Sequence, residues 1–277
     1  MVKTVTSLEQ LHQLELEALC AVERAARACG VRWFLHGGTL LGAIREGGPL
    51  AWDDDVDIAM LRDDFDRFCA RAPRLLDSRF KLQFPADFPE FFDFLPRVVD
   101  TAWRFEAARD DAAGFGGRIE HPAIDIFVFE PACVSPERDR LQSALLQANY
   151  AAALGFRPGF SHEGFSGIEL AASYVLPVCG KAIGLSELIA QRERLASWGD
   201  SPRILRIVNE LPTYADLRWN KRWYLPREDG SERYASFSGV PLPVPVNAEA
   251  DLENVYGPDW MTPPPPEKRV PQHASLS

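Results

Sequence analysis

The apolar positions change period several times along this chain, and each change marks a different element. Leu8, Leu11, Leu14, Ala18, Val22 and Ala25 recur at helical spacing, so 8–29 reads as an amphipathic helix. Ser7 and Gln10 form a Ser-x-x-Gln capping box at its start, and Gly30 closes it. Trp33-Phe34-Leu35 reads as a short apolar strand. A short helix is predicted over 39–46, entered through Gly37-Gly38 and broken by Gly47-Gly48-Pro49. Residues 55–61 then read as a strand and 63–76 as a helix. Over 80–109, Phe, Val and Trp with Pro and Asp punctuation predict two or three antiparallel strands, followed by a glycine-rich turn at 114–118. The clearest strand is Ile124-Asp125-Ile126-Phe127-Val128-Phe129. Helical patterns at 136–153, 165–176 and 184–198 follow, then a hairpin over 234–244, a helix at 248–256 and a Pro-rich tail at 262–277. This order predicts a mixed α/β fold, a single domain over 1–277 with a largely helical C-terminal half.

Composition narrows the partners more than the fold. With 277 residues, 46% apolar and 25% charged, the chain is long enough and ordinary enough to bury a sizeable core. Its formal charge of −10 argues against nucleic acid as the main partner and leaves any anionic substrate dependent on local cations. The five cysteines (Cys20, Cys29, Cys69, Cys133, Cys179) are scattered with no C-x-x-C pair. Neither a zinc knuckle nor a disulfide framework is indicated, and reduced thiols in a cytoplasmic protein are expected. The N-terminus leads directly into the helical pattern without a secretory core. No stretch approaches the ~20 apolar residues of a transmembrane span, so a membrane-bound acceptor would be met peripherally. Nothing in the pattern speaks to oligomeric state.

The chemistry concentrates at 36–60. Asp55 and Asp57 are one residue apart, so in an extended chain both face the same way. Two carboxylates on one face repel unless a cation lies between them. Mg²⁺ takes oxygen ligands and commonly shares its shell with water and substrate phosphates, so phosphoryl chemistry on a metal is the first hypothesis. Asp125 is a third candidate, because a lone carboxylate among Ile, Ile, Phe, Val and Phe is costly to bury unpaired. Its alternative is a solvated strand end. Asp53 is assigned to the substrate side, the alternative being a solvated turn with Asp54. An EF-hand loop is excluded: Ile58 stands where glycine is needed and Asp64 where a bidentate Glu is needed. Gly37 and Gly38 fit a tight turn or close backbone approach to phosphate, with Thr39 beside them. Arg45 is a candidate phosphate ligand, or else an ion pair with Glu46. Trp33, Phe34, Phe127 and Phe129 are read as core.

The run from Gly37 to Arg45, then Gly47-Gly48, then Trp52-Asp53-Asp54-Asp55-Val56-Asp57-Ile58, resembles the LicD family of phosphotransferases, a relative of the fukutin group. Ile124-Asp125-Ile126-Phe127, Phe237-Ser238-Gly239 with Val244-Pro245, and Tyr256-Gly257-Pro258-Asp259-Trp260 with Pro263-Pro264 resemble further segments of that family. The resemblance implies a nucleotidyltransferase-like mixed sheet flanked by helices. It matches Asp55, Asp57 and Asp125 to the superfamily's catalytic, metal-binding carboxylates, with Mg²⁺ as cofactor and Mn²⁺ as an alternative. Asp125 is also a candidate base toward the acceptor hydroxyl. The resemblance further implies transfer of a phospho-alcohol such as phosphocholine from a CDP-linked donor, CDP-choline being one, to a hydroxyl of a glycan or small molecule, with release of CMP. Two rivals stand beside it: transfer of NMP from an NTP with pyrophosphate release, and a non-catalytic nucleotide-binding protein. A choline group would want an aromatic cage, for which Trp103, Trp219, Trp223 and Tyr224 are candidates.

Overall fold

The computed structural model describes residues 2–87, 94–105, 120–157, 160–163, 165–208 and 217–271. After a two-residue strand β1 (Lys3–Thr4), helix α1 spans Leu8–Cys29. The Ser7 hydroxyl accepts the Gln10 N–H at 3.2 Å, and Gly30 ends the helix in the left-handed region at φ 66°. The Gln10 side chain reaches one residue beyond the cap, accepting the Thr6 N–H at 2.9 Å. Strand β2 (Phe34–Leu35), helix α2 (Gly37–Arg45), strand β3 (Val56–Leu61) and helix α3 (Arg62–Arg71) follow. Next come β4 (Phe80–Gln83), β5 (Arg97–Asp100), β6 (Trp103–Arg104) and β7 (Ala123–Pro131). The 114–118 turn lies outside the described residues.

The fold is mixed α/β. The main sheet runs β2-β3-β7-β5-β4, with β3 and β7 parallel and the other neighbours along this path antiparallel. β6, expected beside β4 and β5, instead pairs in parallel with β1. The central strands are apolar on both sides because the sheet has two cores. Val56, Ile58, Met60, Ile124, Ile126 and Val128 face α1 and α3 in one. Phe34, Ala59, Leu61, Phe127 and Phe129 face the other, with Trp219 and Tyr224. Alternation along each strand sends its odd and even residues to opposite cores.

The C-terminal half holds α4 (Pro136–Ala153), α5 (Gly167–Ile183), α6 (Leu185–Ala196) and α7 (Ala248–Tyr256). It also extends the sheet: β8 (Ile204–Ile207) pairs antiparallel with the far end of β7, and β9 (Trp219–Asn220) pairs with β8. A hairpin of β10 (Arg233–Phe237) and β11 (Val240–Val244) packs on α2. Helix α5 runs past the predicted end because it absorbs Pro177. Close contact with α4 holds it there: a Cβ on Gly180 would lie 2.0 Å from the Ala152 carbonyl oxygen. Its outward side exposes Ile168, Tyr174, Val175 and Val178. Among the described residues no single helix is long and apolar enough to cross a membrane. All five cysteines are free thiols.

Candidate functional site

The candidate site lies where the second core ends, at the start of β3 and β7. Asp57 and Asp125 are direct register partners across these parallel strands, flanked in register by Val56–Ile124 and Ile58–Ile126. Register partners on neighbouring strands point to one face, so two partly buried carboxylates stand side by side. Arg97 on β5 is the register partner of Asp125 from the other side. Its guanidinium donates from Nε to Asp125 Oδ1 at 2.6 Å and from Nη2 to Oδ2 at 3.2 Å, a bidentate fork. Three adjacent strands thus carry a row of acid, acid and cation. The Asp125 carboxylate is 17% exposed and ion-paired with Arg97.

Helix α2 brings its first turn to this row. The Asp57 N–H donates to Thr39 Oγ1 at 2.9 Å, and the His36 N–H donates to the Asp57 carbonyl at 3.1 Å. These bonds pin the helix start to the strand start. Gly37 has φ +54°, and a Cβ there would lie 2.8 Å from Asp57 Oδ2. A Cβ on Gly38 would lie 2.7 Å from Asp53 Oδ2. The glycine pair is therefore spent on close approach of two carboxylates to the helix N-terminus. There the backbone N–H groups of the first turn have no intrahelical acceptor and the helix dipole is positive.

The loop before β3 is packed from beneath by α1. His12 Nε2 lies 2.6 Å from the Asp53 carbonyl oxygen. Glu15 is buried, and its pKa is raised well above the usual range, first by burial and then by Asp55, Asp53 and Asp54. Asp54 is buried too, so the solvated-turn alternative does not describe it. Sequence reading gave His12 and Glu15 no role because both sit inside a good helical pattern. Their polar intrusion on its buried side was the available signal. Arg97 was missed for the same reason, inside a Val-rich strand.

Arg45 is not brought to the row. It ends α2, where its Nε donates to Glu46 Oε1 at 2.9 Å and its Nη1 to the Trp260 carbonyl at 3.4 Å. The Ser238 N–H donates to the Gly47 carbonyl at 2.8 Å, so the β10–β11 turn closes on the same end of the helix. Behind the row, His36 is fully buried against the rings of Phe127, Phe129 and Trp219, and burial lowers its pKa to about 3. Of the four cage candidates, Trp103 packs apart with Val5, Leu11 and Leu14, whereas Trp219 and Tyr224 lie in the second core with Trp223 packed against it. A cleft of about 320 Å³ opens between the end of α1 and the β10–β11 hairpin. It meets β2 at the end away from Gly37, and Asp55, Asp57 and Asp125 do not line it.

Residues 30–134 match the family model described as LicD/FKTN/FKRP, nucleotidyltransferase domain. That segment of the chain is similar to the LicD family. Among curated relatives, the lipopolysaccharide cholinephosphotransferase LicD of Haemophilus influenzae is 53% identical over 38 residues, 14% of this chain and 14% of that protein. The ribitol 5-phosphate transferases FKRP of Mus musculus and Homo sapiens are each 51% identical over 37 residues, 13% of this chain and 8% of theirs. The aligned stretches thus span a small part of either relative. The family-model match contains Gly37, Asp57, Arg97 and Asp125, whereas His12 and Glu15 precede it.

The donor set can be tested against a divalent ion. Among the described residues no three His, Cys, Asp or Glu side chains are gathered as a ready-made metal cluster. The available donors are carboxylate oxygens in a partly exposed row beside backbone N–H groups. That fits an Mg²⁺ ion that fills much of its shell with water and donor phosphate, and does not fit a protein-only cage.

Proposed function

We propose that this chain is a Mg²⁺-dependent transferase moving a phospho-alcohol group from a CDP-linked donor to a hydroxyl of a glycan or small molecule, with CMP as the leaving product. The observation that carries this reading is the register pairing of Asp57 with Asp125 beneath the glycine-started first turn of α2. The names of the two relatives, a cholinephosphotransferase and a ribitol 5-phosphate transferase, favour a phospho-alcohol as the transferred group.

In this reading the register pair Asp57 and Asp125 would hold the metal, with Asp55 as a further candidate ligand from the loop before β3, and the ion would supply positive charge to the donor diphosphate and the departing nucleotide. The remaining work belongs to the chain. Backbone N–H groups of Gly37, Gly38 and Thr39 line the diphosphate at the positive end of α2. The Thr39 hydroxyl fixes the Asp57 backbone and so the height of its carboxylate in the row. Asp53, set against Gly38 and anchored at its carbonyl by His12, shapes the donor side of the loop. Burial of His36 keeps the imidazole neutral, so it adds no charge behind the phosphate site. Arg45 is given no donor contact in this reading; Glu46 and the Trp260 carbonyl engage its Nε and Nη1 at the far end of α2, and its Nη2 is buried without a hydrogen-bond partner.

The test is nucleotide product analysis with Mg²⁺, offering CDP-choline, CDP-ribitol and CDP-glycerol in turn and the four NTPs separately. CMP release from one CDP-alcohol, absent in Asp55→Asn, is the expected result and would name the donor. Pyrophosphate release from an NTP would replace the proposal with nucleotidyl transfer. No product from any of them, with no Mg²⁺-dependent affinity for CDP, would leave a non-catalytic protein.

A further inference from the structure

The row Asp57–Asp125–Arg97 contains more than a set of metal ligands, because the third member already satisfies the second. Both oxygens of Asp125 are engaged by the Arg97 fork, at 2.6 Å and 3.2 Å. The pair is half-buried, with side chains 27% and 17% exposed, so it is neither freely solvated nor sealed in the core. Val98 and Val99, which follow Arg97 on β5, are buried. The strand therefore fixes the arginine backbone while its guanidinium stays at the open end of the row. Two carboxylates on adjacent strands repel at this spacing, and a cation beside them removes much of the cost. A divalent ion at the same place would do likewise, but the guanidinium charge beside Asp125 opposes its approach.

We propose that Arg97 is a positioning residue that stands in for the divalent ion, holding Asp125 in the row until metal and donor arrive, and then turns its fork to a donor phosphate. This rests on the phospho-transfer reading above and adds a residue and an order of events to it. The exchange is chemically even-handed, since a guanidinium that leaves a carboxylate finds the same two-oxygen geometry in a phosphate. Metal and arginine are thereby competitors for Asp125 in the empty site and neighbours on the donor in the filled one. Opposite effects on two affinities follow. Removing the arginine strengthens metal binding alone and weakens binding of a diphosphate in the presence of metal.

The experiment measures Mn²⁺ binding to the whole chain by loss of the free-ion paramagnetic signal, and CDP binding at saturating Mn²⁺ by calorimetry. Wild type, Asp57→Asn, Arg97→Met and Arg97→Lys are compared, with melting curves to show that each is folded. The expected result for Arg97→Met is Mn²⁺ affinity about tenfold tighter and CDP affinity at least tenfold weaker. These follow from losing one nearby cation and one charge-assisted phosphate contact. Arg97→Lys, which keeps the charge and loses the fork, should fall between on both measures. Mn²⁺ affinity unchanged or weaker in both Arg97 variants overturns the stand-in role, and unchanged CDP affinity overturns the phosphate role. If wild type binds no Mn²⁺, or Asp57→Asn binds it equally well, the metal reading of the site itself fails. That outcome is distinct from a failure of the arginine exchange.

Discussion

Residues 56, 58 and 60 share a strand with residues 57, 59 and 61, yet the two sets live in different surroundings. On the even side Val56, Ile58 and Met60 lie against Ile124, Ile126 and Val128, and all six are sealed beneath α1 and α3. On the odd side the same register gives Leu61–Phe129 and Ala59–Phe127, and then Asp57–Asp125. The apolar cover of the second face stops one residue pair earlier, and the pair left over carries charge. One strand pair thus does two jobs by alternation alone: its even residues hold the sheet to the helices, and its odd residues end in the candidate site. Substitutions on the two sides should therefore fail in different ways.

The largest separation is expected from Asp57→Asn. It removes one of two facing carboxylates while keeping shape, so melting temperature should stay within a few degrees of wild type or rise. CMP release should fall by about a thousandfold or more, equivalent to about 4 kcal/mol of transition-state stabilisation. Product analysis beside a melting curve checks both halves. Full turnover in this variant would remove Asp57 from the metal site.

Ile126→Ala is the mirror experiment, one residue from Asp125 but on the other face. Ile126 is fully buried, and truncating it should cost about 2–5 kcal/mol of unfolding free energy in denaturant titration. The rate per folded molecule should hardly change. A large loss of rate with intact stability would mean that the two faces are not independent.

Gly37→Ala tests the seam between them. The added Cβ would meet Asp57 Oδ2 at 2.8 Å, at a backbone φ of +54° that disfavours L side chains. The carboxylate is the movable partner, so the row should be displaced while the sheet stays. The expected outcome is about 10- to 100-fold lower turnover, as for a modest misplacement of a reacting group. A stability loss of about 1 kcal/mol should accompany it, from the strained φ. Wild-type rate in this variant would show that the glycine serves the turn and not the carboxylate.

Much of this was legible in the chain, and what was missed has a common cause. The helix over 8–29, the strand through Asp125 and the hairpin near 234–244 follow from periodicity and caps, which are local. The register of Asp57 with Asp125 was not local, and only the pattern of two apolar strands each bearing a carboxylate hinted at it. β8 was overlooked because Arg206 interrupts it. That arginine is fully buried, donating to Gln142 at 2.7 Å and Ser143 at 2.9 Å on α4, so a polar letter hides a core position. Arg97, Glu15 and His12 were passed over for the related reason that charge inside an apolar pattern reads as noise until its partner is known. Arg45, read as a phosphate ligand or else an ion pair with Glu46, donates to Glu46 and to the Trp260 carbonyl, and only the first of these partners is local in sequence.

A last effect, on stability and not on rate, concerns how the second face tolerates polarity in its cover. Asp251 on α7 is buried and accepts the Trp219 indole N–H at 2.7 Å. Burial raises its pKa from 3.8 to about 7, against the opposing pull of its hydrogen bonds. The folded protein therefore keeps a proton that the unfolded chain releases at lower pH. The stability contributed by the protonated carboxyl is complete below about pH 3.8 and is lost as pH rises to about 7, with no further change above. Asp251→Asn keeps an oxygen for the indole and cannot ionise. Its stability relative to wild type should therefore climb between pH 4 and 7, by at most about 1.4 kcal/mol per pH unit, and then level off. His36 has the opposite shift but is present in both proteins, so it cancels in the difference. Denaturant titrations of the two proteins across that range decide the matter. A flat difference would mean that Asp251 ionises alike in the folded and unfolded chain, and that the second face buries its charge as readily as it exposes Asp57.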